Sequence, residues 1–315
     1  MHQFVLVITA CAMLIFGDIA YSEPLVGTYS ERVEMVDVGR GDVKVYVPST
    51  YNGKKTLPLI IALHGFTGSS DNLNKYWKLA YQVDIKNFIL CMPDGTRDSN
   101  GRSFWNATPA CCDTEEIGVD DSGYLLSLIT KLEKKYSIDP KSIHIAGYSN
   151  GGFMALRMAH DHSEKIASVA SLAGATHGDE EECNGKGNVH VLQIHGTKDE
   201  IVKYDGGTWK SSKYPFHDNA YTSAFKTTEH AAFLNKCHMV PIQLGTIDLD
   251  RLVPGNDTTA LRFENVNNNA AVAELWTMHG APHGPAFNSS YAPRLVDWLL
   301  QHRKVEAVVP PQQTE

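Results

Sequence analysis

The stretch Ile143-His144-Ile145-Ala146-Gly147-Tyr148-Ser149-Asn150-Gly151-Gly152 constrains this chain more than any other. A short apolar run ends in Gly-x-Ser-x-Gly, and Phe153 to Ala159 continues with helical character. That order is strand, abrupt turn, helix, which lifts a serine onto the tip of a strained bend, clear of the backbone. Gly147 and Gly151 flank it because a side chain at either position would collide across the turn. Ser149 is therefore a candidate nucleophile. The peptide N–H of Asn150, opening the helix, is a candidate donor to a developing oxyanion. Five-letter patterns also arise by chance, so the strand before and the helix after carry the weight.

The rest of the chain alternates strands and helices. Glu34–Val38 and Val43–Val47 read as an opening hairpin around Gly39-Arg40-Gly41-Asp42. Leu57–Leu63 is a continuous apolar run, as a parallel strand covered on both faces requires. A helix is expected over Leu73–Val83, a strand over Phe88–Met92, and a long irregular loop to about Gly118. Asp120 or Asp121 can cap a helix whose apolar positions Tyr124, Leu125, Leu128, Ile129 and Leu132 recur at helical spacing. After the elbow come strands at 167–172 and 189–194, a helix at 220–236, a strand at 271–278 and a closing helix from Ala292 to His302. This alternation predicts an α/β fold, a mainly parallel sheet with helices on both faces.

Catalytic groups in such a sheet gather at the carboxyl ends of strands. Strand 57–63 runs into His64-Gly65-Phe66, whose Phe66 N–H is the simplest second oxyanion donor; His64 reads as a structural brace. Strand 189–194 runs into His195-Gly196-Thr197-Lys198-Asp199, placing Asp199 to orient a histidine, with His195 read as structural. The order serine, acid, histidine then requires the base further on. His283, between Pro282 and Gly284-Pro285 after the last strand, fits, with His279 as its rival on the same loop. Trp105 and Tyr148 are candidates to line a substrate pocket, against ordinary packing as the plainer role.

Phe4–Phe16 is apolar but shorter than the ~20 residues that span a bilayer. With Ala20-Tyr21-Ser22 after it, residues 1–22 read as a cleaved secretion signal, 23–305 as a single catalytic domain and 306–315 as a disordered tail. A net charge of -8 without a basic block argues against nucleic acid and anionic membranes as partners. Five cysteines then remain; Cys91, inside an apolar strand, reads as the free thiol, and Cys111, Cys112, Cys183 and Cys237 as cross-linked. Adjacent Cys111 and Cys112 suit a metal poorly, so neither metal nor organic cofactor is expected. Asn106, Asn256 and Asn288 head glycosylation sequons.

His64-Gly65, Pro93-Asp94-Gly95, Trp105-Asn106 with Cys111-Cys112, Val119-Asp120-Asp121, Gly147 to Gly152, His195 to Asp199 and His283-Gly284-Pro285 occur in this order. Together, over roughly 40–300, they resemble the secreted polyhydroxybutyrate depolymerase/feruloyl esterase branch of the α/β-hydrolases. The resemblance implies an α/β-hydrolase fold, Ser149, Asp199 and His283 as a triad, and a small or oligomeric ester as substrate, either hydroxycinnamoyl or short polyhydroxyalkanoate. The chain departs from the family pattern at Ala281-Pro282, Gly284-Pro285 and Phe66, beside the acyl and leaving-group pockets. Two other readings share the fold: a prolyl-oligopeptidase-like serine peptidase, and a binding module without catalysis. The first places a large accessory domain ahead of the serine, and the second usually lacks the serine or the histidine.

Overall fold

The computed structural model describes residues 32–176, 187–209, 219–265 and 270–305. The leader at 1–22, the tail at 306–315 and Cys183 lie outside the described residues.

The first half of the chain forms β1 (Val33–Asp37), β2 (Asp42–Tyr46), β3 (Leu57–Leu63), α1 (Ser70–Trp77), α2 (Val83–Lys86), β4 (Ile89–Met92), the short pair β5 (Thr96–Arg97) and β6 (Ser103–Phe104), α3 (Asp121–Lys135), β7 (Ile138–Tyr148) and α4 (Asn150–Asp161). The second half forms β8 (Ser168–Leu172), β9 (His190–Gly196), the pair β10 (Gly207–Trp209) and β11 (Asn219–Tyr221), α5 (Ala224–Leu234), β12 (Ile242–Ile247), β13 (Thr258–Phe263), β14 (Ala273–Met278) and α6 (Tyr291–Gln301). Ten of these strands make one sheet in the order β1-β2-β4-β3-β7-β8-β9-β14-β13-β12. The six from β4 to β14 run parallel, and an antiparallel pair closes each edge.

Alternation along β3 explains the layers. Leu57, Leu59, Ile61 and Leu63 face one core with α3 and α4, and Ile60 and Ala62 face the other with α1 and α6. Both faces are covered, so the strand is apolar throughout. In α3 the Asp120 carboxylate caps the Gly123 N–H, and Leu125, Leu128, Ile129 and Leu132 are fully buried. Burial of each such side chain is worth about 1.5–3 kcal/mol.

Three expectations need correction. The helix foreseen over 73–83 is interrupted: Lys78 adopts a left-handed conformation (φ 56°), a helical turn of tighter pitch follows, and α2 starts at Val83. The Asn74 side chain makes the break tenable by accepting the Ala80 N–H at 3.1 Å. The edge strands β12 and β13 were not foreseen; β12 is half-exposed and its register shifts between Gln243 and Gly245, which blurs its alternation. The cysteines also pair differently. Cys111 and Cys112 are bonded to each other, and Cys237 is a buried free thiol at the end of α5, as Cys91 is within β4. No long loop is closed by the pair 111–112, so the loop-closure stabilisation expected of distant cross-links does not arise from it.

At the end of the sheet away from the elbow, His144 on β7 and His190 on β9 are buried on either side of β8, and the His190 ring packs 4.8 Å from that of His302. His144 Nδ1 meets the Ser168 hydroxyl at 2.8 Å while its Nε2 has no partner among the described residues. Burial, with help from neighbouring positive groups, pushes both His144 and His190 from 6.5 down to about 3. The folded state therefore binds fewer protons than the unfolded chain. Their contribution is complete above pH 6.5 and is lost as pH falls from 6.5 towards 3. Each adds a slope approaching about 1.4 kcal/mol per pH unit below that point. Urea denaturation at pH 7.5, 6 and 5, a window above most carboxylate titration, should show falling stability that flattens in His144→Asn.

Candidate active site

β7 ends at Tyr148 and α4 begins at Asn150, leaving Ser149 alone to turn the chain. Its backbone sits at φ 54°, ψ -119°, strained for a residue with a side chain. The turn closes because its glycines allow backbone to touch backbone. A Cβ on Gly147 would run into the Gly151 carbonyl, and one on Gly151 into the carbonyls of Leu63 and His64.

The Ser149 hydroxyl lies 3.0 Å from His283 Nε2, and His283 Nδ1 lies 2.7 Å from Asp199 Oδ2. With Nδ1–H donating to the carboxylate, Nε2 is left as the acceptor of the serine proton. Asp199 is buried at the end of β9, and its Oδ1 accepts the N–H groups of Ile201 and Val202, both at 2.9 Å. Burial opposes its ionisation, but hydrogen bonds from His195 and His283 prevail and hold the carboxyl at about 2. It is a carboxylate at any pH where the imidazole can act as base. His279 lies elsewhere: it is exposed, with Nε2 on the Thr259 hydroxyl at 2.8 Å.

In the loop after β3, the Thr67 N–H is taken by the Ser103 carbonyl and the Gly68 N–H by that of Gly65. The N–H groups of Phe66 and Asn150 have no protein acceptor among the described residues. Both are thus free to receive an oxygen. His64 braces the loop, donating from Nδ1 to the Gly65 carbonyl at 2.7 Å and accepting the Gly95 N–H at Nε2, 2.9 Å.

Tyr148 stands beside His283, with the two rings 5.3 Å apart. Burial, then the Asp199 charge, push its hydroxyl up to about 12, so it is neutral. Tyr76 and Phe287, which sequence reasoning missed, extend this wall: Tyr76 is 5.4 Å from each of Tyr148 and Phe287, and its hydroxyl donates to the Pro285 carbonyl at 2.9 Å. Only the position of Phe287, soon after His283, hinted at the site. A side chain at Gly284 would meet the Tyr148 hydroxyl at 3.2 Å, so Tyr148 takes up room beside this departure from the family pattern.

Trp105 does not line a pocket. It is wholly buried, so no substrate can reach it. Its Nε1–H donates to the His64 carbonyl at 3.0 Å, while its backbone N–H and carbonyl are clasped by the Asn150 side chain at 2.7 and 2.8 Å. One residue therefore ties together the two segments that carry the free N–H groups. Asn106 and Asp121 anchor the same loop: the buried Asp121 carboxylate accepts the Asn106 N–H at 2.6 Å and pairs with Arg40. The sequon side chain of Asn106 is itself turned inward, donating to the Val119 carbonyl at 3.0 Å. Trp105→Phe keeps the ring but leaves the buried His64 carbonyl unpaired, at a cost of about 1–3 kcal/mol. A lower melting temperature with kcat reduced about tenfold and KM little changed is the expected outcome in steady-state assays.

The model of the Esterase family matches residues 39–283. The chain belongs to the Esterase family. Feruloyl esterase B of Piromyces equi is 28% identical over 244 residues, 76% of this chain and 42% of that protein. A bifunctional acetylxylan esterase/xylanase of Neocallimastix patriciarum is 26% identical over 180 residues, 56% of this chain and 24% of that protein. The chain thus spans less than half the length of these two curated relatives. The solved structure of a CE1 ferulic acid esterase from Anaeromyces mucronatus, in complex with ferulic acid, superposes with a TM-score of 0.55 at 16% identity. That match covers 91% of this chain and 95% of the other. It establishes the α/β-hydrolase fold for the family member described here. Among the described residues no helix is long and apolar enough to cross a membrane, and no group of three or more His, Cys, Asp or Glu could hold a metal ion.

Proposed function

We propose that this chain is a serine carboxylic-ester hydrolase with Ser149 as nucleophile, His283 as base and Asp199 as its orienting acid. The observation that carries the reading is the unbroken chain from the Ser149 hydroxyl through His283 to Asp199, with two free N–H groups beside it. Ser149 Oγ bonds to the ester carbonyl carbon as its proton passes to His283 Nε2. The carbonyl oxygen, now negative, is received by the N–H groups of Phe66 and Asn150, and Asp199 stabilises the imidazolium. Collapse breaks the bond to the alcohol oxygen, which leaves with the proton from His283. Water then repeats the attack on the acyl-enzyme, releasing the acid and restoring Ser149. These side chains and N–H groups suffice for the whole cycle.

For the substrate we favour a hydroxycinnamoyl, feruloyl-type ester over a short polyhydroxyalkanoate. The aromatic wall of Tyr148, Tyr76 and Phe287 beside the base supports an aryl group, and so do the relatives named feruloyl esterase. Secretion rests on the apolar leader read in the sequence. The test is a panel of methyl ferulate, acetylated xylan, hydroxybutyrate oligomers, p-nitrophenyl acetate and a prolyl peptide, with Ser149→Ala in parallel. Hydrolysis of methyl ferulate that persists in EDTA and vanishes in Ser149→Ala is expected. Cleavage of the prolyl peptide without esterase activity would overturn the reading in favour of a peptidase, and no turnover of any substrate would favour a binding module.

A further inference from the structure

His195, at the end of β9, is buried with a relative exposure of 0%, four residues before Asp199. Sequence reasoning treats it as a structural histidine, but both ring nitrogens have defined partners. The Gln193 amide nitrogen donates to the Gly174 carbonyl at 2.7 Å, which fixes which end of the amide faces the ring. The same nitrogen lies 3.1 Å from His195 Nδ1. An amide N–H can only donate, so Nδ1 accepts and the ring proton resides on Nε2. That Nε2–H donates to the Val202 carbonyl, 2.7 Å away, and the same nitrogen lies 3.2 Å from Asp199 Oδ2. Asp199 Oδ2 is the oxygen that also accepts from His283 Nδ1. Two histidines thus share one carboxylate oxygen, and only one of them touches the serine.

We propose that His195 is a positioning residue for the triad, its Nε2–H holding the Asp199 carboxylate in the orientation and charge state that His283 uses. The proposal rests on the triad reading above. The Asp199 carboxylate accepts two backbone N–H groups on Oδ1 and His283 on Oδ2, and His195 Nε2 is the further polar group against Oδ2, at 3.2 Å. Taking away the His195 donor frees Oδ2 to tilt, so the imidazole of His283 loses part of its alignment with Ser149. It also concentrates negative charge on the bond to His283, which favours the imidazolium and delays its deprotonation as pH rises. The other titratable groups facing this pair are Tyr148, Tyr204 and Tyr221; burial raises all three hydroxyls, so they stay neutral in the working range. The Tyr204 ring packs edge-on against His195 at 5.8 Å and its hydroxyl is occupied by Thr277, so it offers Asp199 no substitute donor.

The experiment compares wild type, His195→Phe, His195→Gln and Ser149→Ala on methyl ferulate across pH, with thermal unfolding as a check on folding. Phe keeps a planar ring without a donor, and Gln places an amide N–H close to where Nε2–H stood. His195→Phe is expected to lower kcat about ten- to hundredfold with KM within about twofold, and to move the acid limb of kcat/KM up by about 0.5 pH unit. His195→Gln should recover most of the rate and restore the limb. Should His195→Phe fail to fold, His195→Asn, whose amide is too short to reach Asp199, takes its place. A folded donor-less variant with wild-type kcat and an unmoved acid limb would overturn the proposal, as would equal defects in the Phe and Gln variants. Activity surviving in Ser149→Ala would instead overturn the triad reading, which keeps the two failures apart.

Discussion

His283→Ala is expected to leave a folded protein whose kcat falls by about four to six orders of magnitude, while His279→Ala keeps most of its activity. The two histidines share one short loop, and proximity to the strand end would favour His279. The hydrogen bonds favour His283. His279 directs Nε2 to the Thr259 hydroxyl on an exposed surface, whereas His283 bridges Ser149 and Asp199. The loop holds His283 in place from outside: the Tyr76 hydroxyl grips the Pro285 carbonyl, and prolines at 282 and 285 limit the backbone. Residual turnover in His283→Ala would come from the free N–H pair and substrate binding alone. Steady-state kinetics on both variants check this, and a reversal would move the base to His279.

Gly147→Ala should be the most damaging single methyl added to the chain. The new Cβ would strike the Gly151 carbonyl, and the Gly152 nitrogen would lie only 2.6 Å away. Neither obstacle is a side chain that can swing aside. Relief requires β7 and α4 to separate, and both are fully packed on their inner faces. Overpacking of this kind costs about 1–3 kcal/mol or more, and for a domain of this size that is a drop of about 5 °C or more in melting temperature. Because the separation would also displace the Asn150 N–H, kcat should fall by more than the stability loss explains. Thermal unfolding and kinetics together test this; an unchanged melting temperature would mean the elbow has slack the structure does not show.

Those parts of the molecule that obey a single local rule were legible in the sequence. β3, α3 and α4 are strongly periodic or continuously apolar: β3 spans the expected 57–63, α3 is capped by Asp120 with its expected apolar positions buried, and α4 opens at Asn150 as expected. The strand-end positions of Ser149, Asp199 and His283 followed from the order of elements. What was hidden depends on partners distant in sequence. Nothing near Lys78 announces a left-handed break; it is tolerated because Asn74 accepts the next turn's N–H. Trp105 looked like a pocket residue because aromatic residues near a site often are, and only burial and the bond to His64 reveal it as a brace. Cys237 sits at a helix end as a cross-linking cysteine might, yet its thiol is buried and directed to the Ala271 carbonyl. The β12–β13 hairpin packs one face weakly, so its pattern is faint.

Asp199 and His283 are 84 residues apart along the chain, but β9 and β14 are neighbours in the sheet, with His195 opposite Thr277 and Gly196 opposite Met278. Their spacing is set by a ladder of backbone hydrogen bonds, not by the length of the connection. Between them, β13 and β12 extend the same sheet beyond β14, and the connection that joins these two strands lies against Phe287. That connection can lengthen, shrink or change its surface without altering the distance from Asp199 to His283. The architecture separates the part that performs the reaction from the part that can be remodelled around the substrate. A chimaera exchanging residues 248–256, the connection beside Phe287, with a relative's segment should therefore keep the serine reactive while redrawing which esters it accepts.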